Sequence, residues 1–426
     1  MFHRKYLIVL IGVALNTFCN AQKDYARKVV DTLASPYMEG RGYTDNGDKK
    51  AATYIHSQFK NFSLLPFGSD YEQYFKFPIN TLPSKVEVSV NGVLQPPGAD
   101  YIVVPNSCSM KGTFEVKRLT RTILFDKAKL YEFTHEDLEK QFILVDDTGV
   151  TDKKEKEVFQ GLVYNPFKAK GVIVLCNKLT QEMSDSVADY AFLYALRKSK
   201  FDSATTITLD VENKFIKSYE SQNLIGYIKG NVQPDTFIVF SAHYDHLGRM
   251  GSVYFPGAND NASGTAMLLS LAKFYSEHKE AAKYSMVFMS FTGEEVGLLG
   301  SKYYVEHPLF PLSKIKFEIN MDIMGTGDEG ITVVNGAIYD APFRDMQRIN
   351  DSLHLLKLVK PRGQTSNSDH YFFYAHHVPS FFIYTMGGIK AYHDIYDRRE
   401  TLPLTDFDNV YKLILNFAED ISEHRF

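Results

Sequence analysis

The sequence predicts an α/β fold: a mostly parallel twisted sheet flanked by helices, with an inserted β-rich domain. Three observations predict it. From Asn223 onward strand-like and helix-like runs alternate, the rhythm of a parallel sheet covered by helices. From about Leu82 to Thr206 the chain instead carries short β-rich runs separated by charged and turn-forming stretches. With 426 residues, 44% hydrophobic and 23% charged, the chain is long enough for a large core and more than one folded unit.

The first element is Met1 to Ala21. His3, Arg4 and Lys5 precede the apolar run Tyr6 to Leu15, and Cys19-Asn20-Ala21 has the small-x-small pattern of a signal-peptidase site before Gln22. This segment is expected to be a signal peptide, with a lipidated Cys19 as the alternative. Cleavage removes two positive charges and no negative ones, taking the formal charge from -4 to about -6. A negative chain is not expected to bind nucleic acid. No other apolar run is long enough to span a bilayer, so stable membrane insertion is not expected. Cys108 and Cys176 are compatible with one bridge or two buried thiols.

Next comes the amino-terminal part of the catalytic domain, 22–82. From Asp48 to Phe62, Ala51, Ala52, Tyr54, Ile55 and Phe59 recur at helical spacing and predict an amphipathic helix on a core. The insertion, 83–206, contributes strand-like Val86 to Val90, Phe142 to Val145 and Gly171 to Leu175. The rest of the catalytic domain, 207–426, reads as strand Thr236 to Ala242, helix Ala262 to His278, strand Ser285 to Phe291, helix Val296 to Glu306 and strand Ile315 to Met321. A strand Val378 to Tyr384 and a final helix Asp406 to Ile421 complete it.

In an open α/β sheet reactive groups gather beyond the carboxyl ends of the strands. The polar residues of the second half fall there. The first of these strands leads into His243-Tyr244-Asp245-His246, and the loop before the next helix carries Asn259-Asp260-Asn261. The following strands lead into Glu294-Glu295 and Asp322, and the last into His393 and Asp397. One such group alone reads as a solvated loop. Several elements delivering imidazole and carboxylate to one sheet edge form a mixed nitrogen and oxygen zinc site.

These residues resemble the co-catalytic, two-zinc metallo-aminopeptidases. Ser241 to Asp245, Pro256 to Gly264, Gly293 to Ser301, Asn320-Met321-Asp322 and Tyr392-His393 are similar to the family's five metal-site segments, in its order. Glu39-Gly40-Arg41 and Ser368-Asp369-His370 are similar to secreted members. Phe142 to Asp146 and Ala169 to Val174 more loosely resemble a protease-associated domain.

The resemblance implies two Zn2+ per chain, with His243 and Asp322 on one, Glu295 and His393 on the other, and Asp260 bridging both. It leaves Glu294 free of metal as the acceptor of the attacking water's proton. It implies that Asp245 accepts the second ring N–H of His243, and that His370 and Tyr384 are candidate donors to a developing oxyanion. The expected activity is zinc-dependent exopeptidase, most simply aminopeptidase, action on short peptides by an exported, periplasmic or extracellular protein. His246, His376 and His377 are expected to be structural or at the surface, and Asp397 to orient its loop. The alternatives are a single-zinc glutaminyl cyclase and a catalytically dead binding protein on the same scaffold.

Overall fold

A computed structural model describes residues 22–423. The segment read as a signal peptide, with Cys19, lies outside the described residues. Helix α1 (22–33) is followed by α2 (Gly47–Asn61), on which Ala51, Ala52, Ile55 and Phe59 form the buried face expected from their spacing.

The chain then runs through β1 (Glu72–Thr81) into a block of eight strands: β2 (Val86–Val90), β3 (Val93–Leu94), β4 (Tyr101–Val103), β5 (Met110–Thr120), β6 (Phe142–Asp146), β7 (Gly171–Cys176), β8 (Ala191–Leu196) and β9 (Thr206–Val211). These form one sheet in the order β3-β2-β9-β5-β6-β7-β8-β4, parallel from β5 to β8. Three helices join it, α3 (Arg121–Leu124), α4 (Lys127–Thr134) and α5 (Lys153–Gly161). The sheet extends past residue 206, where the sequence reading ended the insertion. In β9 the residues Ile207, Leu209 and Val211 alternate inward and pair with Val90, Val88 and Val86, so β9 belongs to this sheet. Cys108 and Cys176 are free thiols.

From Lys214 the chain builds the other sheet: β10 (Lys214–Ile228), β11 (Gln233–His243), a small ribbon of β12 (Arg249–Met250) and β13 (Val253–Tyr254), α6 (Gly264–Glu277), β14 (Tyr284–Phe291), α7 (Leu299–Glu306), β15 (Ile315–Met321), β16 (Gly330–Val334), α8 (Asp340–Leu353), β17 (Val359–Arg362), α9 (His370–Ala375), β18 (Ser380–Met386) and α10 (Phe407–Glu423). Its order is β1-β10-β14-β11-β15-β18-β16-β17. The central four strands are parallel; β1 and β10 run antiparallel to their neighbours, and β16, parallel to β17, joins β18 antiparallel.

The run Phe237 to Ala242 is continuously apolar or small because both faces of β11 are covered. Ile238 and Phe240 join Met267, Leu268 and Leu271 of α6 in one core, while Val239, on the opposite face, packs with Met289 and Tyr304. Each fully buried side chain of this size contributes about 1.5–3 kcal/mol. The chain leaves β11 through α6 to β14 on one side, then crosses β11 through α7 to β15 on the other. The strand order therefore reverses at β11, which opens a crevice beyond its carboxyl end.

Candidate metal centre

Every predicted ligand segment opens at that crevice. His243 is the last residue of β11, and Phe291 and Met321 end β14 and β15 just before Glu294-Glu295 and Asp322. Helix α7 starts at Leu299 rather than Val296. Residues 293–298 instead form a turn closed by Leu299 N–H donating to the Gly293 carbonyl at 2.8 Å, with Leu298 in the left-handed region. That turn aims two adjacent glutamates into the crevice. Ile323, following Asp322, has φ +56° and His393 has φ +53°, conformations that a β-branched residue in particular rarely adopts. Gly257, at φ +57°, leads into the Asp260 loop. A Cβ there would sit 2.3 Å from the Asp260 carbonyl and 2.4 Å from the His246 ring.

The side chains converge as two groups that share one carboxylate. Asp260 Oδ1 lies 3.4 Å from His243 Nε2, which also lies 3.4 Å from Asp322 Oδ1. The other oxygen, Asp260 Oδ2, lies 3.0 Å from His393 Nε2, which lies 3.2 Å from Glu295 Oε2. Glu294 Oε2 stands 3.9 Å from His243 Nε2.

Asp245 stands against the second ring nitrogen of His243, as expected, and has a further task. His243 Nδ1 is 3.2 Å from the main-chain carbonyl of Asp245 and 3.6 Å from its carboxylate. The carbonyl therefore fixes the ring and leaves Nε2 facing the centre. The carboxylate is turned to the glutamate turn, accepting from the Glu294 and Glu295 N–H groups at 3.3 and 3.4 Å and from Tyr43 Oη at 2.7 Å. Tyr43 Oη in turn accepts from Gly293 N–H.

His246, expected to be structural or exposed, is buried within the site, its Nδ1 2.6 Å from Glu295 Oε1. Its place three residues beyond a strand end carries no periodic signal. Asp397 orients the Asp260 loop rather than its own: its carboxylate accepts from the Asn259 and Asp260 N–H groups at 2.9–3.0 Å. Arg41, named in sequence only through a motif, is fully buried. Its guanidinium donates to the carbonyls of Leu33, Tyr244, Pro256, Gly257 and Asp260 at 2.8–3.2 Å. Ser368 Oγ donates to Asp322 Oδ2 at 3.1 Å.

His370 and Tyr384, the expected oxyanion donors, are not brought into these groups. His370 is fully buried with its ring 5.2 Å from that of Phe382, and burial drives its imidazole down to about 3. It is neutral packing. Tyr384 Oη accepts from Arg362 at 3.3 Å. His376 is exposed, its Nδ1 2.8 Å from the Phe372 carbonyl, and His377 is exposed as well.

Charge is unevenly matched across the cluster. Burial pushes Glu294 well above the carboxylate range and His243 opposes this, while Glu295 and Asp322 push it further up. Asp322 is also raised by burial, against the pull of His243. Asp260 is held well below the carboxylate range in spite of burial, by hydrogen bonds from His243 and His393. Burial works against charge on His393, yet Glu295 and Asp260 hold it up at about 9. Asp322 Oδ1 and His246 Nε2 are buried without a hydrogen-bond partner. A crevice with more carboxylate than imidazole, an orphaned acceptor and ring nitrogens 3.0–3.4 Å from a shared carboxylate is chemically matched to divalent cations with mixed N and O ligands.

Residues 223–418 match the profile of peptidase family M28. Over 118 residues the chain is 35% identical to aminopeptidase YwaD of Bacillus subtilis (strain 168), covering 27% of this chain and 24% of that protein. Over 150 residues it is 31% identical to a probable zinc metalloprotease of Pyrenophora teres f. teres (strain 0-1), 32% of this chain and 30% of that one. The chain thus spans between a quarter and a third of the length of these curated relatives. In fold it is similar to BSAP, a zinc aminopeptidase from Bacillus subtilis, with TM-score 0.70 and 20% identity over 93% of this chain and 94% of that one. It is likewise similar to a peptidase M28 precursor from Shewanella amazonensis SB2B, with TM-score 0.68 and 16% identity over 96% and 98%. Residues 223–418, which carry all five predicted ligands, thus match the peptidase family M28 profile, and the chain as a whole has a fold similar to that of a zinc aminopeptidase.

Proposed function

We propose that the protein is an exported, two-zinc exopeptidase that removes residues from the amino end of short peptides. One observation carries the reading: the two oxygens of Asp260 face different imidazoles, His243 at 3.4 Å and His393 at 3.0 Å, each with its own further carboxylate. His243, Asp322 and Asp260 would hold one ion, and His393, Glu295 and Asp260 the other. Zinc bound there supplies a Lewis acid and lowers the pKa of water towards neutrality.

The chain's own groups do the rest. Glu294 is the general base, accepting the proton of the attacking water and delivering it to the departing amine. Burial, with Glu295 and Asp322 beside it, raises Glu294 well above the carboxylate range, and positive charge at this centre would oppose that rise. The Asp245 carboxylate holds the Glu294-Glu295 turn by its N–H groups, so the base stays beside the ligand instead of replacing it. Arg41 and Asp397 fix the Asp260 loop from its carbonyl and amide sides.

The aminopeptidase reading is supported by the likeness to aminopeptidase YwaD and the export reading by the pattern of residues 1–21. The sheet Val86–Val211 would stand at the cleft as a protease-associated-type domain and restrict substrate length. The test is a profile of products released from a mixed peptide library by the zinc-loaded protein. Sequential loss of amino-terminal residues from short peptides is expected. Loss from the carboxyl end, internal cleavage, or no turnover would refute the reading.

A further inference from the structure

We propose that the inserted sheet is part of the metal centre: the main chain of Gln181, in the loop between β7 and β8, clamps the ligand His393 and sets how well its ion is held. The inference rests on the two-zinc reading. Gln181 N–H donates to the His393 carbonyl at 2.8 Å, and the Gln181 carbonyl stands 2.9 Å from His393 Nδ1. The second contact selects the tautomer. With the proton on Nδ1 donated to Gln181, the Nε2 lone pair is free to face Glu295 and Asp260. The first contact holds the backbone of His393 itself, which sits at φ +53° and needs outside support to stay there.

The grip extends along the His393 loop. Lys178 Nζ donates to the Lys390 carbonyl at 2.9 Å and pairs with Asp394 at 3.6 Å. Ile395 packs into the core of the inserted sheet, and so do Leu247 and Met250 from the segment just beyond His243 and His246. Gln181 is 2% exposed, and its side chain donates to the Val103 carbonyl on β4. The loop 390–397 is thus bracketed, by the inserted sheet at His393 and by the Asp260 amide at Asp397. An inserted domain placed only to shade the cleft would need none of these bonds to a ligand.

The test is zinc titration into the metal-stripped full-length protein by calorimetry, native against Gln181→Pro, which deletes the N–H held by the His393 carbonyl. The native protein is expected to take up two zinc ions. In the variant one of them should bind about 10- to 100-fold more weakly, the cost usual for losing an outer partner of a ligand, with the other unchanged. A variant with a native melting transition and two native affinities would overturn the clamp while leaving the two-zinc reading intact. Should the variant fail to fold, the native protein decides. Stripping zinc should speed amide hydrogen exchange in residues 177–184 at least 10-fold against that of β5, and unchanged exchange would overturn the clamp. A native protein that takes up fewer than two zinc ions would refute the two-zinc reading and the clamp with it.

Discussion

Two buried carboxylate sites, one in each sheet, are balanced in different ways. In the inserted sheet, Asp146 at the end of β6 lies between Arg118 Nη1 at 2.6 Å and Arg197 Nη1 at 2.8 Å, and also accepts from Thr148. Burial would raise it, but Thr148 and Arg197 pull it down to about 2, and nothing is left over. At the carboxyl ends of β11, β14 and β15, Asp260, Glu294, Glu295 and Asp322 face imidazoles rather than guanidiniums, and Glu294 and Asp322 are pushed up instead of down. A cluster complete in itself stabilises a fold. One left short of positive charge, and held so by a scaffold that includes Arg41, Tyr43 and Asp397, is built for cations from outside.

Substitutions can break that contrast from either side. Asp260→Ala removes the carboxylate common to both halves; zinc bound per chain should fall from two to at most one, and peptide turnover should fall by at least about 10³-fold. Elemental analysis and a peptide assay check it. Glu294→Gln separates ligand from base: two zinc ions should remain while turnover drops by about 10²–10⁴-fold. Full activity would invalidate the division of labour between the adjacent glutamates. Arg41→Met leaves five buried carbonyls without their donor and should destabilise the protein by about 3–5 kcal/mol, read from denaturant unfolding. His246→Ala loses the bond to Glu295 and should weaken one zinc by about 10–100-fold with little change in stability, read by zinc titration.

The smallest effect belongs to the self-sufficient cluster. Asp146 has its pKa depressed from 3.8 to about 2, so its pairing stabilises the fold above the unfolded value of 3.8 and is lost as pH falls through about 2. Solvent reaches Arg118, which reduces the gain to about 1 kcal/mol. Asp146→Asn should therefore cost that much at pH 7 and almost nothing near pH 2, with no change in zinc content. A change in zinc content would erase the distinction between the clusters.

What could be foreseen from sequence follows the same division. The strands β11, β14 and β15 are legible because burial on both faces demands continuous apolar runs, and polar residues directly after such runs mark the crevice. Hence His243, Asp260, Glu294, Glu295, Asp322 and His393 could be named together. The supporting groups were not legible in the same way. Tyr43 and Arg41 reach the site from more than 200 residues away; the contacts of Arg41 are to main-chain carbonyls, and those of Gln181 to His393 come from its own main chain, neither of which leaves a side-chain pattern. Asp245 was placed beside His243, but its hold on the Glu294-Glu295 turn was not foreseen, since sequence spacing carries no sign of a carboxylate that accepts from main-chain N–H groups 49 and 50 residues away. The long strand β10, between β1 and β14, and the strands β16 and β17 went unpredicted. Half of β10 is polar where it leaves the core, and β17 has only Val359 buried.

The most direct test is anomalous diffraction at the zinc edge from crystals of the zinc-loaded protein. Two peaks about 3.5–4 Å apart, one on either side of the Asp260 carboxylate, are predicted. A single peak, or zinc bound away from His243 and His393, would contradict the assignment of a shared carboxylate between two ions.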